Sequence, residues 1–133
     1  MQQKDHKIIT IEKEKITVEE VLDRGALLAR LNQDVELLQE LIAFFLEDYH
    51  RLMHEIESAI AGQDAPGLRK AAHTLKGSLG NFGAQEAANL AYQLEMGGFR
   101  SDFSTVESAF AALAAELNRV DQALRLLTEE LSS

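Results

Sequence analysis

Val106, Phe110, Leu113, Leu117, Val120, Leu124, Leu127 and Leu131 recur at alternating steps of four and three residues. A seven-residue repeat kept for roughly four cycles fits one amphipathic helix about 40 Å long at about 1.5 Å per residue. It does not fit a strand, in which side chains alternate between faces at every second residue. A helix with so long an apolar seam must bury it, against other helices of the same chain or against a second copy.

The preceding sequence offers several such partners. Thr17-Val18-Glu19-Glu20 has capping-box spacing, with Thr17 as N-cap. It opens a first helical region running to about Leu31, with Val18, Val21, Leu22, Leu27, Leu28 and Leu31 inward and an interruption expected at Gly25. Asn32-Gln33-Asp34 breaks the pattern, and Asp34 is placed to cap the next helix. That second helix covers about residues 35–61, with a buried stripe of Leu38, Leu41, Ile42, Phe45, Tyr49, Leu52, Ile56 and Ile60. Gly62 and Gln63 end it. Asp64 caps a third helix, with Pro66 in its first turn, that runs to about Asn81 before a sharp turn at Gly83. A fourth helix spans about 84–96, lined by Ala84, Ala87, Ala88, Ala91, Leu90 and Leu94, and Gly97-Gly98 is expected to stop it. Asp102 or Ser104 opens the last helix, Ser104 and Glu107 repeating the capping-box spacing.

Five amphipathic helices with short connections predict an all-α fold, an antiparallel four-helix bundle with an additional short N-terminal helix over residues 17–133. Residues 1–16 alternate isoleucine with charge and are expected to be a flexible leader or linker. The seven-residue repeat would equally serve an intermolecular coiled coil. The bundle is preferred because the other stripes also need covering, and one chain can satisfy them all; a monomer is expected.

Composition narrows the function classes. A net charge of −9 argues against nucleic acid or an anionic membrane as partner. The absence of cysteine excludes a disulfide framework and a thiolate metal site. No apolar run is long enough to span a bilayer, and the charged N-terminal stretch does not read as a signal peptide. The expected location is the cytoplasm, free or as the cytoplasmic C-terminal part of a membrane-bound hybrid kinase.

One residue stands out against this frame. In Ala72-His73-Thr74-Leu75-Lys76-Gly77-Ser78, a turn of about 100° per residue puts Leu68, Ala71, Leu75, Leu79 and Phe82 on one side and His73 on the other. Arg69, Lys70, Lys76, Gly77 and Gly80 fall within roughly 60° of His73. A glycine inside a helix costs about 0.5–1 kcal/mol relative to alanine. Two of them on one exposed face, beside cations in an acidic protein, point to close approach of another surface. A solvated histidine without a role is the plain alternative.

The stretch His73-Thr74-Leu75-Lys76-Gly77-Ser78, followed by Asn81-Phe82-Gly83, resembles the signature of histidine-containing phosphotransfer (HPt) domains, four-helix bundles of multistep two-component phosphorelays. The resemblance runs from about Val21 to the end of the chain. It implies that His73 accepts a phosphoryl group on Nε2 from a receiver-domain aspartate and passes it to another. It implies a phosphocarrier without ATP binding or a cofactor of its own, Mg²⁺ being supplied by the receiver. The partners implied are response-regulator receiver domains and a hybrid sensor histidine kinase. Lys76 would offset phosphate charge, and Arg69, Lys70, Gly77, Ser78 and Gly80 would meet the partner. The sequence departs from the family pattern at Leu79, where many members carry a small residue. Members often place Gln on the next helix against the other ring nitrogen; the matching position is Glu95, whose carboxylate would accept Nδ1–H, orient the ring and raise its basicity.

Two other readings compete. His50 and His54 form an i, i+4 pair, and Glu47 with His50 makes one Glu-x-x-His, but di-iron bundles need two such motifs. Glu47 also points outward by helical phase, so no metal is expected. The alternative function class is a non-catalytic helical interaction or dimerisation module in which His73 is incidental.

Overall fold

The structure, a computed structural model, describes residues 16–132. The leader expected over residues 1–16 lies outside them, Ile16 excepted. Six helices follow in order: α1 Val18–Val21, α2 Arg24–Arg30, α3 Val35–Ala61, α4 Ala65–Asn81, α5 Gln85–Arg100 and α6 Val106–Ser132. Among the described residues there is no strand. The connections between the four long helices are too short for anything but a reversal of direction. α3 packs on α4, α4 on α5, α5 on α6 and α6 on α3, which closes an antiparallel four-helix ring. α1 lies against α6 and α2 against α3.

The apolar stripes meet inside that ring. Leu38, Ile42 and Ile56 of α3, Leu68, Leu75 and Leu79 of α4, Leu94 of α5 and Leu113, Leu124 and Leu127 of α6 are fully buried. Each such side chain contributes about 1.5–3 kcal/mol by leaving water. No polar or charged residue of the described chain is fully buried. Most of the α6 seam faces this interior; Phe110 and Leu131 are only partly covered, as are Leu28, Leu31, Ile60 and Leu90. Leu41, placed in the α3 stripe by its spacing, is 41% exposed instead. Leu79, where the sequence departs from the family pattern, is fully buried in the core.

Local signals set most helix ends. Asp34 Oδ1 accepts from Leu37 N at 3.0 Å, and Asp64 Oδ1 from Gly67 N at 3.0 Å, with Pro66 in the first turn. Both carboxylates satisfy amides that a helix N-terminus leaves open. The N-terminal region is two short helices instead of one. The break falls at Leu22 and Asp23, because Asp23 Oδ1 accepts from Ala26 N at 3.1 Å and restarts the helix with Gly25 inside it. Thr17 caps no amide; its hydroxyl donates to Glu20 Oε1 at 3.2 Å. Ser104 is not the N-cap of α6. Asp102 Oδ1 accepts from Ser104 N and Oγ, at 3.0 and 2.7 Å, and the helix begins at Val106.

Gly97 and Gly98 do not stop α5, which continues to Arg100 and ends with Ser101 in the left-handed region at φ 53°. Their reason is contact. A Cβ on Gly98 would sit 2.6 Å from Arg69 N and 2.8 Å from Ala65 O, both backbone atoms of α4. The missing side chain lets α5 close directly onto the backbone of the helix that carries His73.

Candidate functional site

His73 sits mid-way along α4 with its side chain 66% exposed. The residue packed beneath the ring comes from α5: Nδ1 lies 2.8 Å from Glu95 Oε2. Lys76, one turn along α4, places Nζ 2.7 Å from the other oxygen of the same carboxylate. Glu95 itself is only 15% exposed. Burial works against its charge, but hydrogen bonds from Lys76 and His73 outweigh it and hold the carboxyl below the usual carboxylate range. An ionised carboxylate only accepts, so Nδ1 carries the hydrogen. In the neutral ring the lone pair is then on Nε2, the nitrogen that Glu95 does not hold.

The face around the ring is as open as its helical phase requires. A Cβ on Gly77 or on Gly80 would meet nothing within 4 Å. Arg69 and Lys70 flank the ring and, with Pro66, Thr74 and Glu95, line a shallow depression beside it. Two cations are held by aromatic rings of α5. The Arg69 guanidinium stands 4.9 Å from the Phe99 centroid, and Lys76 Nζ 5.1 Å from that of Tyr92. Tyr92, Glu95 and Phe99 share one face of α5 by steps of three and four, but that spacing does not say that they meet groups of α4.

Beyond Ser78 the open face continues into an apolar groove of about 440 Å³ between α2, α3 and the end of α4. Leu27, Leu41, Phe44 and Phe82 line it, with Ser78 and Asn81 on the α4 side. Phe44 is 66% exposed and Leu37 and Leu41 are also open to solvent. These three follow i, i+4, i+7 spacing beside the buried stripe of α3, and the two stripes were not separated by phase alone.

The second candidate cluster does not assemble. His50 stacks on Tyr49 with centroids 4.1 Å apart, and His54 is exposed. Among the described residues no group of three or more His, Cys, Asp or Glu is placed to hold a metal ion.

Comparison with known proteins gives this arrangement a context. The family described as Hpt domain matches residues 40–123, more than half of the chain, with His73, Lys76 and Glu95 among them. The chain belongs to the Hpt domain family. Hpt domains are phosphotransfer intermediates of phosphorelays, and that is the role of this chain. The Hpt domain is 30% identical over 106 residues to Sensor protein TorS of Escherichia coli (strain K12), covering 74% of this chain. It spans 12% of that relative's length. In fold it is similar to the crystal structure of histidine-containing phosphotransfer protein B (HptB) from Pseudomonas aeruginosa PAO1, with a TM-score of 0.76 and 22% identity over 82% of this chain and 95% of that one. No helix of the described Hpt domain is long and apolar enough to cross a membrane.

Proposed function

We propose that His73 is the phospho-acceptor of this domain, receiving the phosphoryl group on Nε2 from a receiver-domain aspartate and passing it to the aspartate of a second receiver. The observation that carries this reading is the single hydrogen bond from Nδ1 to Glu95, which fixes the ring while leaving Nε2 at an open surface. Phosphoryl transfer is mainly positioning and charge neutralisation, and both are available around His73. The bare helix at Gly77 and Gly80 gives a receiver's loops room to descend to the ring. Lys76 offsets phosphate charge from its place on Glu95, one turn along α4 from the ring.

The receiver supplies Mg²⁺, and this domain acts as a carrier without a nucleotide site. Arg69, Lys70, Gly77, Ser78 and Gly80 form the polar part of the docking face. The groove at Phe44 and Leu41 continues it, because Ser78 belongs to both. A hybrid sensor kinase stands upstream, and the domain works in the cytoplasm as a monomer.

The test is direct. A receiver preloaded with labelled phosphate is mixed with the domain, and the product is examined for acid-labile, base-stable label. We expect label on the wild type and none on His73→Gln. Label that persists in His73→Gln removes that residue from the role. Lys76→Ala should accept label about 10-fold more slowly, the loss of roughly one charge-assisted contact.

A further inference from the structure

We propose that Glu95 keeps the Nδ1 hydrogen of His73 in place through the whole transfer cycle, so that the phosphoryl group moves on and off Nε2 without a proton passing to or from solvent. This rests on His73 being the phospho-acceptor and adds a specific task for its buried partner.

The bookkeeping of the step makes the carboxylate's charge matter. In the first transfer the Nε2 lone pair attacks phosphorus. The Nε2–P bond forms, the P–O bond of the aspartyl phosphate breaks, and its electron pair leaves on the receiver's carboxylate. No proton needs to move, but the ring now carries a positive charge with its hydrogen still on Nδ1. In the second transfer an aspartate oxygen attacks phosphorus, Nε2–P breaks, and the pair returns to Nε2 as neutral imidazole. Had the Nδ1 proton been lost in between, the leaving group would be an imidazolate anion, which is far poorer.

The surroundings decide whether that proton stays. From α5, the ionised Glu95 lies 2.8 Å from Nδ1. From α4, Arg69, Lys70 and Lys76 are the charged groups around the ring, and all of them disfavour a cationic ring. From α3, Asp48 lies with Ser78 and Asn81 at the groove. The hydrogen-bonded anion is in contact with Nδ1, whereas Arg69 is drawn onto Phe99 and Lys76 onto Tyr92 and the far oxygen of Glu95. An opposite charge in contact outweighs like charges drawn aside. A neutral amide at position 95 would orient the ring equally well but would not stabilise its positive charge.

The experiment uses ¹⁵N-histidine-labelled chain phosphorylated with phosphoramidate, from which ammonia leaves as the N–P bond to His73 forms. Ring ¹⁵N shifts of the phosphorylated histidine are followed from about pH 6 to about pH 9. We expect Glu95→Gln to lose the Nδ1 hydrogen about one pH unit or more below the wild type, the size of a contact charge effect. We expect Lys76→Gln, which leaves the carboxylate to the ring alone, to shift in the opposite direction, and this variant serves if Glu95→Gln does not fold. The phosphorylated Glu95→Gln protein should also pass its phosphoryl group to a receiver about 10-fold more slowly at the alkaline end than the wild type. Midpoints that coincide in wild type and variants overturn the inference while leaving His73 as acceptor. A chain that takes no phosphoryl group on His73 overturns both.

Discussion

Tyr49 and Arg125 converge on Asp121, and the contact from Tyr49 ties α3 to α6. The Tyr49 hydroxyl donates to Asp121 Oδ2 at 2.6 Å, and Arg125 Nε binds the other oxygen. Burial opposes the charge of Asp121, but Arg125 and Tyr49 outweigh it and hold its carboxyl below the usual value of 3.8. Burial, then the bond to Asp121, pushes the Tyr49 hydroxyl well above the usual tyrosine range. Tyr49→Phe should cost about 1 kcal/mol of stability, read as a lower urea midpoint with unchanged slope. The pH dependence has a definite sign. A carboxyl whose folded value is depressed adds stability above its unfolded value and loses it as pH falls through the folded one. Asp121 and Glu95 are both of this kind, so thermal stability should be level near neutrality and fall below about pH 4. At this scale His73 was legible in the sequence because it stood on the wrong side of a clean apolar stripe. Glu95 was legible only through the family resemblance. Tyr92 and Phe99 were not read, because their task is to hold cations of another helix, and no periodicity within α5 states that.

The helices of this bundle carry glycines of two opposite kinds. Gly77 and Gly80 have free space where a side chain would be, whereas Gly98 has the backbone of α4 there. Substitution should therefore change sign along the chain. Gly77→Ala and Gly80→Ala should each stabilise the fold by about 0.5–1 kcal/mol while slowing transfer with a receiver, a split between a melting curve and a transfer assay. Gly98→Ala should destabilise by about 1–3 kcal/mol, since α4 and α5 must separate to admit a methyl group. These two outcomes separate helix propensity from packing. The same distinction explains what the sequence did not disclose about the elements. Gly97-Gly98 reads as a stop signal by local rules, and only the facing helix reveals it as a contact. The same local rules put the break between α1 and α2 at Gly25. The carboxylate of Asp23, reaching an amide three residues on, determined it instead.

For the molecule as a whole, the seam of α6 posed the main choice between a bundle and a coiled coil. Val106, Leu113, Leu117, Val120, Leu124 and Leu127 are all buried against the other helices of the same chain. Little of the seam is left for a second copy, so sedimentation at two concentrations differing about tenfold should give one unchanged monomer mass. A mass that rises with concentration would return the dimerisation reading. The architecture was legible because each stripe had a period, a cap and a short connection, and these agree with one another. The groove at Phe44 was not, because an apolar side chain bound for a partner and one bound for the core look alike in one dimension.

Gly98 meets Arg69 one turn away from where Glu95 meets His73, on the same pair of helices. The bare backbone there works as a gauge block, setting how far apart the two rods lie where the carboxylate has to reach the imidazole. A single added carbon would widen that clearance, and the reactive nitrogen would lose its alignment although neither member of the couple had been altered.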